Sequence, residues 1–479
     1  MTTVLSLVLL IWLALLAVSI PHQRMHGDEA WLGEQAYLLA HDGIIRSDMF
    51  RGYAMQEQHI LITHKLFIVF GAVATAFCGW GITPLRALSL LSGLIAFLLV
   101  AHELRRHDSE SPQISWRIGI LALLAMPLFF KFTNLYRPEV MLAAFGLASY
   151  VLLSRHLSTK KTVPLLASAI VAGLAVLVHI NGVMYVIAGV IVLILHRRFR
   201  DAGIFAAIGI AISLLYFVDV LGQWDLLHFQ LLHVPSLTTE DFRWDAPFCR
   251  LVNEHKRLFR KPEIIFSTVL FVTSFAYAWA RQPHLRRSIL AYCVTIVLVL
   301  GAVGQAKTTP YAIALFPFFA IVIARATTHW WSSHARVPRW VTVIAIVVWT
   351  AFLIHSAAAD SLIAFTGKEN VAQRNQQIAG LIPKGSRVLA PMEFVFNEIG
   401  QYDIRAMMAA ELLTHGKSDE PLTRGQLLSV TDRWHIDAII LDRKHRDQLH
   451  LQDSSVGYEL GDFRAVAVRD DGYVVLRRE

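Results

Sequence analysis

About twelve apolar runs of near-spanning length follow one another along this chain, and that succession constrains the fold more than any other feature. Their approximate ranges are 4–20, 60–79, 84–101, 116–131, 138–154, 163–179, 182–196, 203–221, 262–280, 287–303, 310–325 and 338–357. A bilayer core of about 30 Å takes roughly twenty apolar residues as a helix. Backbone polar groups have no water to bind there, so runs of this length read as helices. Only 17% of the 479 residues are charged and the mean hydropathy is +0.49, whereas a soluble domain carries about one quarter charge. The chain therefore reads as an all-α polytopic membrane bundle. Its net charge of +8 reflects Lys and Arg on loops and implies no nucleic-acid partner. Cys78, Cys249 and Cys293 are far apart and lack metal-ligand spacing, so no disulfide is expected.

The basic loops set the topology. Positive charge clusters in "HELRRH" (102–107), "SRHLSTKK" (154–161), "HRRFR" (196–200), "ARQPHLRR" (280–287) and "ARVPR" (335–339), after every second run from 84–101 onward. These ends belong in the cytoplasm. The run 4–20 lacks a basic leader and an A-x-A site and reads as a retained span. If 60–79 also spanned, with the N-terminus inside, every basic loop would lie outside. That run carries His64, Lys65, Gly71 and Gly79, and reads as a re-entrant or interfacial helix within a long first outer loop, 21–83. The expectation is about eleven spans, N-terminus inside and C-terminus outside. The membrane part is expected over 1–358 and a small extracytoplasmic α/β domain over 359–479. In the latter, 386–391, 437–443, 464–470 and 473–478 read as strands, and 404–416 and 423–435 as helices.

Chemistry concentrates on one face of this arrangement. "RMHGDEAWLGEQ" places Asp28 and Glu29 side by side just after the first span. In a helix, neighbours point about 100° apart, so only one can aim directly at a given reacting atom. Acids at a helix start, wetted by the boundary, are the plain alternative. Arg86 opens a later run, Arg137 and Glu139 flank Pro138, and Lys307 lies in a short loop between spans. Ionisable groups at such depths are functional candidates, although each alone fits a snorkelling anchor. Together, carboxylates against guanidinium and ammonium groups suit a phosphate or diphosphate.

The pieces "HGDEAWLGEQAYLLAHDG", "QEQHILITHKLF", "TPLRALSLLSGLIAFLLV", "LYRPEVMLAAFGLASYVLL", "VHINGVMYVIAG" and "KTTPYAIALFPFFA", in this order over roughly 1–330, resemble the GT-C superfamily of polyprenyl-phosphate-sugar glycosyltransferases. The likeness is strongest to its protein O-mannosyltransferase and lipid A aminoarabinose transferase branch. The resemblance implies an integral-membrane inverting transferase with a lipid-phosphate sugar donor and a lipid, glycan or protein acceptor on the extracytoplasmic side of the inner membrane. It implies Asp28 as general base, Glu29 as its orienting partner, and Arg86, Arg137 and Lys307 on the leaving phosphate. Glu139 and Tyr311 join the donor site, with Glu57, His59 and His179 accessory. Two departures stand out: "EQHI" (57–60) lacks the prolines usual there, and Glu139 follows Arg137 sooner than the acid of relatives does.

No cofactor is expected. His22 and His26 with Asp28 are potential metal ligands, but no H-E-x-x-H spacing supports them, and hydrogen-bonding boundary histidines are the simpler reading. The loop 222–261 reads as a flap over an acceptor or an interfacial segment whose Trp224 and Trp244 anchor at the headgroups. The competing function is a lipid-linked sugar flippase or transporter. It predicts repeated halves with broken helices, and the sequence has no such symmetry. A sensor driven by the C-terminal domain ranks lower, since so many spans exceed what an anchor needs.

Overall fold

The computed structural model describes residues 2–20, 22–23, 25–107, 112–233, 246–303, 308–332, 370–416, 420–451 and 455–479, with isolated positions between 333 and 369. The expected loop position of Lys307 and most of the expected span 338–357 lie outside the described residues. Along the chain come α1 (Thr2–Ser19), α2 (Gly27–Asp42), α3 (Lys65–Cys78), α4 (Ile82–His107), α5 (Pro112–Leu124), α6 (Pro127–Thr133), α7 (Pro138–Thr159) and α8 (Thr162–Val178). They are followed by α9 (Val183–Leu195), α10 (Phe199–Leu214), α11 (Trp224–His233), α12 (Ala246–Val252), α13 (His255–Leu258), α14 (Pro262–Arg281), α15 (Ile289–Val303) and α16 (Phe316–Ser332).

Five stretches are long and apolar enough to cross a bilayer among the described residues: Ile82–Arg106, Pro138–Thr159, Phe199–Val220, Ile264–Arg281 and Thr309–Ser332. Several other runs are shorter or broken. The run 116–131, read from sequence as one span, is instead α5 and α6 bent by 78°. Pro127 opens α6; it has no N–H, and its ring excludes the carbonyl four residues back. The helix α3 has 14 residues, about 21 Å at 1.5 Å per residue, which is less than a bilayer core.

Small residues let the helices approach closely. A Cβ on Gly173 would stand 2.8 Å from Gly209 O, and one on Gly146 would meet the Tyr185 ring at 2.0 Å. The Tyr185 hydroxyl donates to Ala314 O at 2.9 Å, which fixes the 3₁₀ turn Thr309–Leu315 that carries Tyr311. At the opposite end, Arg325 Nη2 reaches Glu103 Oε1 at 3.2 Å and joins α16 to α4.

The C-terminal part holds a six-stranded sheet in the order β2-β1-β3-β6-β5-β4. Its strands are β1 (Arg387–Ala390), β2 (Asp403–Ala406), β3 (Ala438–Leu441), β4 (Glu459–Leu460), β5 (Phe463–Val468) and β6 (Val474–Arg478). β1 runs parallel to β2 and β3, and the remaining pairs are antiparallel. The segment 404–416 is not one helix: β2 occupies its start and the helix begins at Met407. The strand passes straight into the helix with no turn residue, so helical spacing absorbs it in the sequence. Its outer edge is taken by the first loop, where Ala406 N–H donates to Met49 O at 3.0 Å.

This sheet layer packs on α2. Met392 Cε lies 2.8 Å from where Gly27 would carry a Cβ, and the Phe396 ring lies 3.2 Å from where Gly33 would carry one. Trp80 stacks on Phe396 with centroids 5.2 Å apart. Arg405 Nη1 donates to Asp48 O at 2.6 Å. One continuous set of buried apolar side chains runs through both parts, so α2 lies between the helical bundle and the sheet layer.

Candidate active site

The start of α2 is organised by a reciprocal cap. His26 is extended, its Nδ1 accepts from Asp28 N–H at 3.3 Å, and Glu29 Oε2 accepts from His26 N–H at 2.8 Å. This is the capping-box geometry with His in place of Ser or Thr. Asp28 and Glu29 then diverge into different surroundings.

Glu29 is completely buried and bound in bidentate fashion by Arg86: Nε to Oε1 and Nη2 to Oε2, both 2.8 Å. Tyr136 N–H also donates to Oε1 at 2.8 Å. With the His26 N–H, all of the roughly four lone-pair positions of the carboxylate are in use. Arg86 is equally buried, and its Nη1 donates to Ile20 O at 2.6 Å and Gln23 O at 3.0 Å. The pair thus ties the end of α1, the start of α2, α4 and the junction before α7 into one knot.

Asp28 faces outward, its side chain 51% exposed, and Arg137 Nη1 donates to its Oδ2 at 2.5 Å. Arg137 precedes Pro138 at the N-terminus of α7. Its Nη2 donates to the buried Glu139 Oε1 at 2.6 Å, and its guanidinium lies 5.4 Å from the Phe132 ring centroid. Glu139 sits in the first helical turn, where the helix dipole favours an anion. Arg137 therefore bridges an exposed acid and a buried one. Burial and then the Arg137 charge hold the His26 imidazole below its ordinary pKa, against Asp28, Glu29 and Glu139. Its Nδ1 is the acceptor of the Asp28 N–H in the cap.

A second cation stands nearby. His179 accepts from Asn181 N–H at 3.1 Å, stacks on His64 at 4.6 Å and meets the Tyr311 ring edge-on at 5.1 Å. Tyr311 lies under the buried Arg257, 5.4 Å from ring centroid to guanidinium. Arg257 pairs with Glu254 at 2.6 Å and donates to Thr308 O at 3.4 Å. Arg257 and His64 were not among the sequence candidates. Arg257 lies in "EHKRLFRKPE" among other cations, and nothing local marks which of them turns inward.

The structure brings Asp28, Arg137 and Glu139 together, with Tyr311 and His179 beside Arg257 and His64. It places Glu29 and Arg86 beneath them. Glu57 and His59 are held by other partners. Glu57 Oε2 accepts from Gly52 N–H at 3.1 Å. His59 lies 3.3 Å from Gln223 Oε1 and 3.5 Å from Asp219 Oδ2, and Asp219 also binds Lys65. The His59 contacts fasten the first loop to the end of Phe199–Val220, and Gln230 Nε2, donating to His59 O at 2.6 Å, fastens it to α11. Among the described residues, no group of three His, Cys, Asp or Glu side chains is gathered to hold a metal.

The dolichyl-phosphate-mannose-protein mannosyltransferase family matches residues 66–222. No curated protein matches the chain by sequence. Among solved structures, the chain is similar to ArnT from Cupriavidus metallidurans bound to undecaprenyl phosphate, at 16% identity and a TM-score of 0.60, over 98% of this chain and 96% of that one. The apo state of the same ArnT gives 14% identity and 0.59, over 99% and 98%. The Archaeoglobus fulgidus oligosaccharyltransferase, in complex with Zn and sulfate, gives 11% and 0.54, over 91% and 68%. All three solved structures share the bundle with this chain, and the matched family segment covers α3 to the end of Phe199–Val220. The chain therefore shares its fold with ArnT and with the archaeal oligosaccharyltransferase.

Proposed function

We propose that the protein is an inner-membrane glycosyltransferase that moves a sugar from a polyprenyl-phosphate donor to an acceptor on the extracytoplasmic side, with inversion. The observation that carries this reading is the half-exposed Asp28 held by a single guanidinium, Arg137, at the end of the bundle where the sheet layer packs. In the proposed reaction the acceptor hydroxyl attacks the anomeric carbon, the bond from that carbon to the phosphate oxygen breaks, and Asp28 takes the hydroxyl proton. Polyprenyl phosphate leaves as an anion.

The bridge through Arg137 gives the cycle a physical logic. A donor phosphate arriving at Arg137 competes with Asp28 for the guanidinium, and bidentate phosphate contacts are strong. Asp28 is then released toward the acceptor while Glu139 keeps Arg137 in place. Arg257, Tyr311 and His179 complete the donor side, and Lys307, four residues before Tyr311 in the sequence, is assigned to the leaving phosphate with them. Glu29 and Arg86 act as positioning residues, setting the height and direction of the first turn of α2. ArnT, in its structure with undecaprenyl phosphate, supports the donor class. The domain division near residue 358 and the placement of the N-terminus inside and the sheet layer outside belong to the same reading.

The test is transfer of label from a panel of radiolabelled polyprenyl-phosphate sugars to membrane extract by the purified protein, beside Asp28→Asn. Label moving to a new product only with the native protein supports the transferase. Label crossing the bilayer in proteoliposomes without a new product supports the flippase instead.

A further inference from the structure

A cleft away from Asp28 has the composition of a ligand site. It lies where the first loop meets the sheet layer, has a volume of about 250 Å³, and is lined by Arg51, Arg387, Asp403, Arg405 and Trp434. It reaches α2 through the loop that Glu34 holds, and Glu34 stands about 9 Å along the helix axis from Asp28 at 1.5 Å per residue. Arg405 is its fixed base: buried, donating to Asp48 O at 2.6 Å and to Asp403 Oδ2 at 3.0 Å. Arg51 and Arg387 are its open walls, with side chains 52% and 47% exposed. Arg51 pairs with Asp48 at 2.9 Å, and Arg387 lies 3.6 Å from Asp403.

Three guanidiniums face one carboxylate in this lining, so the cleft attracts an anion. Burial, then the charges of Arg51 and Arg387, pull the Arg405 guanidinium below its ordinary pKa, with Asp403 and Asp48 opposing. An incoming anion would relieve that repulsion. Simple phosphate, however, would be repelled by Asp403. A ligand with hydroxyl groups would use that carboxylate as an acceptor, because an ionised Asp accepts only. The half-buried Trp434 offers a flat apolar face beside polar groups, the pairing that amphipathic ligands need. The cleft is somewhat smaller than the roughly 300 Å³ where pockets for drug-sized ligands begin, a scale suited to one sugar ring of a chain.

We infer that the cleft formed by Arg51, Arg387, Asp403, Arg405 and Trp434 binds an acidic sugar residue of an oligosaccharide. Its guanidiniums take the acidic group, Asp403 takes hydroxyls and Trp434 takes the ring. Under the transfer reading, and resting on it, this holds an acidic glycan acceptor while the acceptor hydroxyl reaches Asp28.

The probe is trigalacturonate, with maltotriose as its neutral counterpart and inorganic phosphate as the bare anion. Binding to the full chain in detergent is measured by titration calorimetry at low salt. Trigalacturonate should bind, and the Arg51→Gln/Arg387→Gln variant should weaken it by about tenfold or more, the scale of one lost charge-assisted pair. Trp434→Leu should weaken trigalacturonate and leave any phosphate binding unchanged. Arg464→Gln, which removes an exposed cation paired with Glu479, controls for net charge. Equal binding by maltotriose, phosphate binding as tight as trigalacturonate, or wild-type affinity in the double variant would each overturn the site. Asp28→Asn should bind trigalacturonate as wild type does, so loss of transfer with binding intact tests the reaction separately from the cleft.

Discussion

Two carboxylate–guanidinium pairs stand one residue apart at the start of α2, one on the open side of the site and one beneath it. Asp28 is half-exposed, and Arg137 also serves Glu139. Glu29 and Arg86 are wholly buried, and Glu29 has a donor at each available position. A carboxylate with no free lone pair and no path to solvent cannot take a proton from a substrate. Its neighbour, wetted and held by a shared cation, can. Glu34, on the same helix, supplies the contrast. It is buried with Ser47 Oγ and Met49 N–H as donors, so burial pushes its carboxyl up to about 8 in spite of those bonds. Within two turns, one helix presents an exposed ion pair, a buried ion pair and a buried acid that is neutral at pH 7.

The sharpest break of this comparison is Asp28→Asn. It should lower transfer by about 10²–10⁴-fold, the usual worth of a general base, with thermal stability nearly unchanged; activity close to wild type would remove Asp28 from the reaction. Arg86→Ala should act on the fold instead. It strands the Glu29 charge and should cost about 3–5 kcal/mol, read as a large drop in melting temperature in detergent. A melting temperature like that of wild type would show that the lower pair is not structural.

Glu34→Gln separates the two buried acids by pH. The folded pKa of Glu34 is raised above the unfolded value, so the folded state binds more protons between the two. The neutral form therefore favours folding at low pH, and that advantage declines from the unfolded pKa upward until pH passes about 8. The native protein should lose on the order of 3 kcal/mol from Glu34 between about pH 6 and pH 9, and Glu34→Gln should flatten that slope. An unchanged slope would place the titration elsewhere.

Gly71→Ala is the mildest test. The new Cβ would meet the Tyr136 hydroxyl at 1.9 Å and Ala36 Cβ at 2.9 Å. The expected loss is about 1–3 kcal/mol of stability, with a partial loss of transfer because Tyr136 N–H holds Glu29. Full stability would mean that Tyr136 moves aside freely.

Much of this was legible in local pattern. The apolar runs announce a helical membrane protein, because an apolar run long enough to cross has no competing solution. The acid pair just past the first run marks the end of the bundle where carboxylates and guanidiniums pair. Four of the six strands show in the C-terminal segment through their β-branched residues, whereas β2 merges with the helix after it and β4 has only two residues. The break at Pro127 was visible in principle, since proline inside a helical run is a bend signal.

What the sequence by itself determined is the class of fold and the end of the molecule where charged groups gather. Hydropathy, period and proline act over a few residues, and they are written locally. Only the tertiary structure decided which acid faces solvent, which arginine is reachable and which cation of "HKRLFRK" turns inward. Those outcomes depend on partners 57 residues apart for Glu29 and Arg86, and 109 apart for Asp28 and Arg137. Pairing at that range is set by how helices pack and what water they exclude, and no short window of sequence contains it.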